Sequence, residues 1–264
     1  MLDYFSAVIL GIVQGLTEFL PVSSSGHLII VNHLLGLTDN TTKTFDVFIQ
    51  LGSIFAVIWL YRLRFLNLFF PKTRGGFSGM RGICLLVLTS LPASILGLLV
   101  HSYIKEYLFG PKTVALALAV GSVAMIVVER LPIRHRVRNL NEITPKFALC
   151  VGVAQCFALW PGFSRSASTI MGGLLSGAKR PLAAEYSFIA AVPIMFAATG
   201  FDLLKSASYI SAKDMPVFAV GFIVSFLAAS LAIKIFVNLI SRIDFTPFAI
   251  YRLILVPIVY FLFS

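Results

Sequence analysis

Five residues near the start of the chain carry groups that could bind or transfer a charged group. Glu18 supplies a carboxylate, a run of three serines supplies hydroxyls, and His27 supplies an imidazole. The flanking sequence is apolar enough to lie in lipid, where ionisable side chains are costly and usually functional. We therefore interpret this stretch first as a binding or catalytic element, with its hydroxyls on Ser23, Ser24 and Ser25.

The same polar element recurs 141 positions later with different chemistry. Arg165 occupies the position equivalent to Ser24, so a guanidinium replaces a hydroxyl. The chain thus carries one element twice. The other equivalent pairs are Gly11 and Gly152, Gln14 and Gln155, Ser23 and Ser164, and Ser25 and Ser166.

Each copy leads into a short helix, whose first turn offers free backbone N–H groups and the positive end of the helix dipole. Both favour an anion. Two such helix starts, several hydroxyls and the guanidinium of Arg165 predict a phosphate pocket. The predicted phosphate-binding residues are Ser23, Ser25, Gly26, Ser164, Ser166 and Thr169.

A divalent cation is the expected cofactor of this pocket. Glu18 would repel a phosphate unless a hard ion such as Mg²⁺ or Ca²⁺ lay between them. Gln14 and Glu18 are four residues apart and therefore share one helix face. These two side chains are the predicted metal ligands.

The same residues also have structural interpretations. Serine and threonine in membrane helices often bond back to their own helix or to a neighbour, which applies to Ser168 and Thr169. Glu18 and Arg165 could form a buried ion pair that holds the two halves together. His27 could be a hydrogen-bonded interior residue, although its position beside the serines favours chemistry.

The composition places the chain in a membrane. Of its 264 residues, 58% are hydrophobic and 12% are charged, and the mean hydropathy is +0.94, which is too apolar for one soluble core. Asp3 stands where a signal peptide would be basic, so we expect the mature chain to start at Met1. Packing, rather than a zinc site or disulfides, is predicted for Cys84, Cys150 and Cys156.

The apolar segments predict an all-α integral membrane protein with six full transmembrane helices and two re-entrant helical hairpins. Residues 4–36 and 147–178 are the predicted hairpins, because each combines an apolar helix, a polar break containing proline, and a second helix too short to cross a bilayer. An ordinary kinked span is the alternative for each. The six full spans are predicted at residues 44–61, 82–100, 113–130, 183–203, 216–236 and 246–262.

Basic residues give the predicted orientation. Fourteen lie on one side of this topology and five on the other, which predicts that the richer side is cytoplasmic and that both termini lie outside. The net charge of +10 therefore reflects topology and does not indicate nucleic-acid binding. Arg252, inside the last apolar segment, could pair or snorkel. The fourteen are Arg62, Arg64, Lys72, Arg74, Arg81, Arg130, Arg134, Arg136, Arg138, Lys146, Lys179, Arg180, Lys234 and Arg242, and the five are Lys43, Lys105, Lys112, Lys205 and Lys213.

The crossing count also predicts how the two halves are related. Each half has one hairpin and three spans, so the second copy enters the membrane from the opposite face, as an inverted-topology repeat with a shared site near the midplane. We divide the single membrane domain into a first repeat, residues 1–130, a cytoplasmic connection, residues 131–145, and a second repeat, residues 146–264.

Two motifs resemble those of the undecaprenyl-pyrophosphate phosphatase family of the bacitracin-resistance (BacA) type. The motif (E/Q)xxxE followed by FLPVSS(S/T)GH corresponds to residues 14–27, and PGxSRSxxT corresponds to residues 161–169. The resemblance implies a phosphatase of the bacterial cytoplasmic membrane. It would remove the terminal phosphate of a C55 polyprenyl diphosphate and regenerate the carrier lipid for cell-wall synthesis. By position it implies that the catalytic residues are His27, Glu18, Arg165 and Ser24.

A second family of lipid phosphatases, the type 2 phosphatidic acid phosphatases, also pairs a Ser-Gly-His with a Ser-Arg element. Its members need a histidine six residues after the arginine, where this chain has Met171, so this resemblance is weak.

The sequence leaves several alternatives open. His27 could attack phosphorus directly, or it could deprotonate Ser24 or a water molecule. We prefer His27 as the nucleophile or base, with Glu18 assisting through a metal. A transporter that flips a polyprenyl phosphate lipid is the alternative function, because inverted repeats with broken helices commonly accompany alternating access. The oligomeric state is also open between a monomer and a homodimer.

Overall fold

The computed structural model describes residues 2–71, 75–108, 110–206 and 211–262, and it describes only the backbone of residues 101, 102, 105 and 111. Lys72, Arg74 and the Lys105 side chain, all used in the charge count, lie outside the described residues. The named elements of the described chain are all helical, and one isolated bridge joins Val137 to Ala178. The protein is an all-α membrane protein, as predicted.

Eleven α-helices follow one another along the described residues, with one π-helical segment and two 3₁₀ turns between them. The α-helices are α1 (Tyr4–Thr17), α2 (Ser24–Leu34), α3 (Asn40–Leu60), α4 (Arg62–Phe69), α5 (Gly79–Tyr103), α6 (Pro111–Arg130), α7 (Pro145–Gln155), α8 (Arg165–Leu175), α9 (Arg180–Ser206), α10 (Met215–Ile240) and α11 (Thr246–Leu262). The π-helical segment is Ile104–Leu108, and the 3₁₀ turns are Leu140–Glu142 and Cys156–Leu159.

Five of the described helices are long and apolar enough, by length and composition, to cross a membrane: α3, α5, α6, α9 and α10. The sixth predicted span coincides with α11, which has 17 residues and belongs with the shorter apolar helices. At about 1.5 Å per residue, α11 is a few ångströms shorter than a hydrocarbon core of about 30 Å. Its length is therefore intermediate between the five long helices and the hairpin helices.

Residues 62–69, which the sequence suggested were part of a connection, form helix α4. This helix follows α3 after a single residue and exposes Leu63, Leu66 and Phe69, while carrying Arg62 and Arg64. Basic and apolar residues together are typical of a helix that lies in the membrane interface.

Both predicted hairpins are broken where the sequence changes from apolar to polar. In the first, α1 ends at Thr17 and α2 begins at Ser24. In the second, α7 and the 3₁₀ turn end at Leu159, and α8 begins at Arg165. The second members, α2 and α8, have 11 residues each and are too short to cross a bilayer.

The first helix of each hairpin packs on a helix from the other half of the chain. In α1, a Cβ atom added to Gly15 would lie 2.5 Å from the Ser225 carbonyl oxygen of α10. In α7, a Cβ atom added to Gly152 would lie 2.7 Å from the Thr89 carbonyl oxygen of α5. Glycine is therefore required at both contacts, and each hairpin is held by the opposite half.

Candidate active site

Two serines with unusual backbone geometry begin the short helices of the hairpins. Ser23 has φ 70° and Ser164 has φ 79°, and they are the two non-glycine residues with positive φ in the described chain. Such a conformation costs on the order of 1–3 kcal/mol. Each hydroxyl oxygen accepts a hydrogen bond from the backbone N–H three residues later, at 3.4 Å from Gly26 and 3.3 Å from Ala167. The two copies of the sequence element thus share one local structure.

A cavity of about 280 Å³ lies between the two broken loops. The first broken segment contributes its three serines and Glu18, the residue that follows α1, and the second contributes Ser164 and Arg165. Six residues predicted from the sequence therefore meet on one surface. The remaining lining residues are Gln50, Ala93, Gln155, Ala158, Leu159, Pro161, Gly162, Ile194, Met195 and Ala198.

Glu18 is the acidic centre of this cavity and is only 8% exposed. One carboxylate oxygen accepts hydrogen bonds from Gln14 Nε2 at 2.9 Å and from Ser24 Oγ at 2.7 Å. The other accepts from Arg165 Nη2 at 2.9 Å. Donors thus approach both carboxylate oxygens, and the hydroxyl proton of Ser24 points at an anionic acceptor.

Arg165 connects the two hairpins through this ion pair. Its guanidinium also lies 5.3 Å from the ring centre of Phe19, donates to the Ser187 carbonyl oxygen at 3.4 Å, and lies 3.4 Å from the Met195 sulfur. Its Nε is buried without a hydrogen-bond partner. The buried ion pair considered from the sequence is therefore present, and the guanidinium keeps unused donor capacity at the cavity wall.

His27 lies outside the lining of the cavity. Its Nδ1 is 2.8 Å from the Ser23 carbonyl oxygen, and its Nε2 is 2.7 Å from the hydroxyl of Tyr251 on α11. The two rings are stacked, with centres 5.6 Å apart. Because a carbonyl oxygen can only accept, Nδ1 donates. Both ring nitrogens are therefore engaged away from the cavity.

Two predicted phosphate ligands of α8 bond to protein groups instead. Ser166 Oγ donates to the Leu20 carbonyl oxygen at 2.7 Å. Thr169 Oγ1 contacts its own helix backbone at 2.9 Å and lies 2.6 Å from Ser187 Oγ. Both side chains are 1% exposed and, like Gly26 and Gln14, are absent from the cavity lining. Ser166 therefore joins α8 to the first loop, and Thr169 joins α8 to α9.

Arg252 of α11, whose role the sequence left undecided, is fully buried beneath both loops. Its guanidinium donates to the Pro21 carbonyl oxygen of the first loop at 3.4 Å. It also donates to the carbonyl oxygens of Gly162 and Phe163 in the second loop, at 3.2 and 2.9 Å. The carbonyl oxygen of Leu118 on α6 is a further acceptor at 3.3 Å. One cation thus orients the backbone of both loops.

Two other residues of the site went unrecognised in the sequence. Gln155 is 1% exposed, donates through Nε2 to the Thr89 carbonyl oxygen at 3.3 Å, and has an unpartnered Oε1. Its equivalence to Gln14 was a signal that could have found it. No pattern in the sequence pointed to Tyr251, because its contact with His27 joins residues 224 positions apart.

The fit of a divalent cation depends on oxygens that remain free. Within the described part of the chain, no group of three or more His, Cys, Asp or Glu side chains could hold a metal ion. Glu18 is a hard oxygen ligand on the cavity wall, and Gln14 beside it has a buried Oε1 without a partner. Both Glu18 oxygens already accept hydrogen bonds, and Gln14 does not line the cavity, so a divalent cation on this pair stays a prediction.

Known proteins resemble the chain over its whole length. The family described as bacitracin resistance protein BacA matches residues 7–258. A protein of Maridesulfovibrio salexigens named undecaprenyl-diphosphatase is 60% identical over 264 residues, covering 100% of both chains. Proteins with the same name from Nitratidesulfovibrio vulgaris and Lawsonia intracellularis are 60% and 56% identical, over 99% and 96% of this chain and 98% and 96% of their own. The chain therefore belongs to the BacA family.

Proposed function

We propose that the protein is a membrane phosphatase that hydrolyses undecaprenyl diphosphate to undecaprenyl phosphate and inorganic phosphate. The observation that carries the proposal is the meeting of Glu18, Ser24 and Arg165 on one cavity wall. This arrangement provides a hydroxyl, a proton acceptor and a guanidinium for a phosphate. The relatives named undecaprenyl-diphosphatase support the choice of lipid. The product would be the carrier lipid used again in peptidoglycan synthesis.

Ser24 is the nucleophile that this geometry favours. Its Oγ attacks the terminal phosphorus, the bond from that phosphorus to the bridging oxygen breaks, and undecaprenyl phosphate leaves. The hydroxyl proton passes to Glu18, which already accepts it at 2.7 Å. Water then hydrolyses the phosphoserine and releases inorganic phosphate. His27, engaged with Tyr251, remains the alternative nucleophile or base.

Acid treatment of a trapped phosphoenzyme distinguishes these routes. We expect protein quenched during turnover of a substrate labelled on the terminal phosphate to retain label in acid and to lose it in base, as phosphoserine does. Label that is lost in acid and retained in base would be phosphohistidine and would favour His27. The Ser24→Ala variant is the matched control, because it keeps His27 intact.

Arg165 and the loop N–H groups stabilise the charge on the phosphoryl group during transfer. Preorganised donors of this kind are often the largest contribution to catalysis. Arg165 lines the cavity while its Nη2 donates to Glu18, so the guanidinium lies beside the phosphate site with its ion pair intact. The pair therefore holds the two loops together and places the guanidinium beside the attacking hydroxyl.

A divalent cation held by Glu18 and Gln14 would, when bound, neutralise part of the charge of the diphosphate. Glu18 also accepts the hydrogen bonds of Ser24 and Arg165. Binding of Mn²⁺ to the purified protein, followed by electron paramagnetic resonance, should weaken in a Gln14→Leu variant and strengthen in a Gln14→Glu variant. Equal binding by all three proteins would contradict this ligand set.

The site is proposed to open toward the outside of the bacterial cytoplasmic membrane, with both termini on that side and the halves arranged as an inverted-topology repeat. The charge asymmetry and the exchange of hairpin partners between the halves support this arrangement. In a cysteine-free background, Ser23→Cys should react with an impermeant thiol reagent in intact spheroplasts and Arg136→Cys should not. The opposite pattern would overturn the orientation.

Release of inorganic phosphate by purified protein in detergent tests the function directly. Detergent removes the two sides of the membrane, so a lipid transporter would move nothing and release no phosphate. We expect release from undecaprenyl diphosphate by the unaltered protein and its loss in a Glu18→Gln variant. Failure of the folded, unaltered protein to release phosphate would refute the proposal.

A further inference from the structure

The lining of the cavity has two chemically different parts. The part of the lining near the loops carries hydroxyls, a carboxylate and a guanidinium, whereas the apolar part includes three alanines, Ala93, Ala158 and Ala198. We call these three residues the alanine wall. Ala93 belongs to α5, Ala158 to the 3₁₀ turn after α7, and Ala198 to α9. Polar groups for a charged headgroup thus share one small space with apolar surface.

A buried polar group without a partner belongs to a residue that lines the cavity. Gln155 is 1% exposed and lines the cavity next to the alanine wall, and its Oε1 has no hydrogen-bond partner. Its Nε2 is held by the Thr89 carbonyl oxygen, so the amide is oriented. A buried oxygen left unpaired carries a free-energy cost that a bound molecule or an ordered water removes.

The cavity is large enough for the headgroup of a long lipid but too small for its whole tail. About 280 Å³ lies just below the range of roughly 300–1,000 Å³ found for pockets that bury small ligands. A diphosphate and the start of a prenyl chain fit this space, whereas the remainder of a C55 chain must leave it. The chain should leave where the wall is apolar and reaches the protein surface.

Two lining residues reach the surface at different places. Ser25 is exposed among the polar lining residues, and Ala198 is exposed among the apolar ones. Beyond Ala198, a Cβ atom added to Gly200 would meet no atom within 4 Å. On its other side, α9 is joined to α5 by the buried contact of Tyr186 with Thr89. The apolar lining therefore reaches the surface at Ala198, farther along α9 than that contact.

We propose that the prenyl chain of the substrate leaves the cavity over the alanine wall, with Ala198 at the rim. This inference rests on the proposed function and adds the path of the tail. Small side chains at these positions leave room for the branched methyl groups of the chain, and the exposed rim lets the tail continue into the bilayer. Water would enter and phosphate would leave where Ser25 is exposed.

Cysteine modification of the folded protein tests this path. The background lacks Cys84, Cys150 and Cys156, and the test variant is Ala198→Cys. Ala197→Cys is the matched control, because Ala197 is the adjacent exposed residue of α9 and does not line the cavity. Each purified variant is modified with benzyl methanethiosulfonate, which adds an aromatic ring and is removed by dithiothreitol.

We expect modification of Ala198→Cys to lower kcat/KM for undecaprenyl diphosphate by about tenfold or more, through KM, because a bulky group excludes an apolar ligand from a fitted space. Dithiothreitol should restore the activity, which excludes misfolding as the cause. Modification of Ala197→Cys should leave kcat/KM unchanged. Equal effects in the two variants, or none in Ala198→Cys, would overturn the proposed path.

A protection experiment reads binding and does not require turnover. Undecaprenyl phosphate should slow the modification of Ala198→Cys, whereas inorganic phosphate at saturating concentration should not. Protection by both, or by neither, would contradict a tail at this position. Selective protection by undecaprenyl phosphate, together with no phosphate release by the unaltered protein, would refute the proposed function. The proposed path of the tail would still stand.

Discussion

The two hairpins share a loop geometry but differ in how their second helices are packed. Ser23 and Ser164 have nearly the same positive φ, and the hydroxyl of each accepts a hydrogen bond from the backbone N–H three residues later. Yet α8 has nine buried residues among 11, whereas α2 has two, Gly26 and Leu28. The two segments therefore share the loop geometry and differ in the packing around it.

This difference separates two tasks within one site. The buried helix α8 begins at Arg165, whose guanidinium is held by Glu18 and by the Ser187 carbonyl oxygen. The more exposed helix α2 begins at Ser24, the residue that we propose changes its covalent state. A group that stabilises charge gains from rigidity, whereas a nucleophile must be reached by substrate and water. Each prediction below tests this division.

The largest effect is expected for Ser24→Ala, which removes the proposed nucleophile from the exposed helix. Activity should fall by about 10³-fold or more, because residues that form the covalent intermediate dominate turnover. The measurement is phosphate release in detergent, and the matched control is Ser25→Ala, which should retain most activity. Comparable activities for Ser24→Ala and Ser25→Ala would show that α2 supplies no specific nucleophile.

Arg165→Lys should lower activity by roughly 10²-fold, the magnitude found for loss of one preorganised donor. An ammonium keeps the charge beside Glu18 but cannot bind a phosphate and hold the ion pair through separate planar N–H groups. Steady-state kinetics with undecaprenyl diphosphate provide the measurement. Near-normal turnover would mean that charge alone, and not the geometry fixed by α8, is needed.

A pair of variants separates the roles of His27 and its partner Tyr251. If His27 serves as a base, His27→Ala should lose about 10²-fold in activity, the lower end of the range for a positioned base. Tyr251→Phe keeps the imidazole and removes one hydrogen bond, so its loss should be less than tenfold, in line with about 1 kcal/mol for such a bond. Equal small losses would show that His27 only supports the start of α2.

The smallest effect concerns the packing of α8. Thr169→Val removes the hydroxyl that lies 2.6 Å from Ser187 Oγ and should destabilise the protein by about 1 kcal/mol. The unfolding midpoint in detergent should fall by a few degrees, while the KM for substrate stays unchanged. Thr17→Val on α1, whose hydroxyl bonds only to its own helix, is the control. A change in KM without loss of stability would place Thr169 among the substrate contacts.

Much of the molecule follows from the pattern of apolar and polar residues. The all-α membrane fold and the two breaks could be predicted, because lipid excludes an unsatisfied backbone. The six predicted residues that line the cavity were found because polar groups at membrane depth are rare. The direction of each side chain was not predictable. Ser166 and Thr169 carry hydroxyls as Ser24 does, but their hydroxyls bond to Leu20 and Ser187 and do not reach the cavity.

The missed contacts depend on tertiary packing between distant segments. Gln155 resembles Gln14 in sequence and burial, but Gln155 alone lines the cavity. The partner of His27 comes from α11, and no local spacing relates the two. Residues 62–69 were interpreted as part of a connection because the basic residues of a cytoplasmic loop and those of an interfacial helix give the same charge pattern.

The position of Arg252 has a consequence for how the enzyme matures. A chain is made from its N-terminus, so both loops are synthesised before the helix that carries this guanidinium. An arginine at the centre of a membrane helix costs about 2.5–3.5 kcal/mol to insert, and the carbonyl oxygens of the two loops offset that cost once they are in place. Insertion of α11 is thus coupled to assembly of the site. A nascent chain that ends before α11 would contain every residue of both motifs and still lack the cation that orients them.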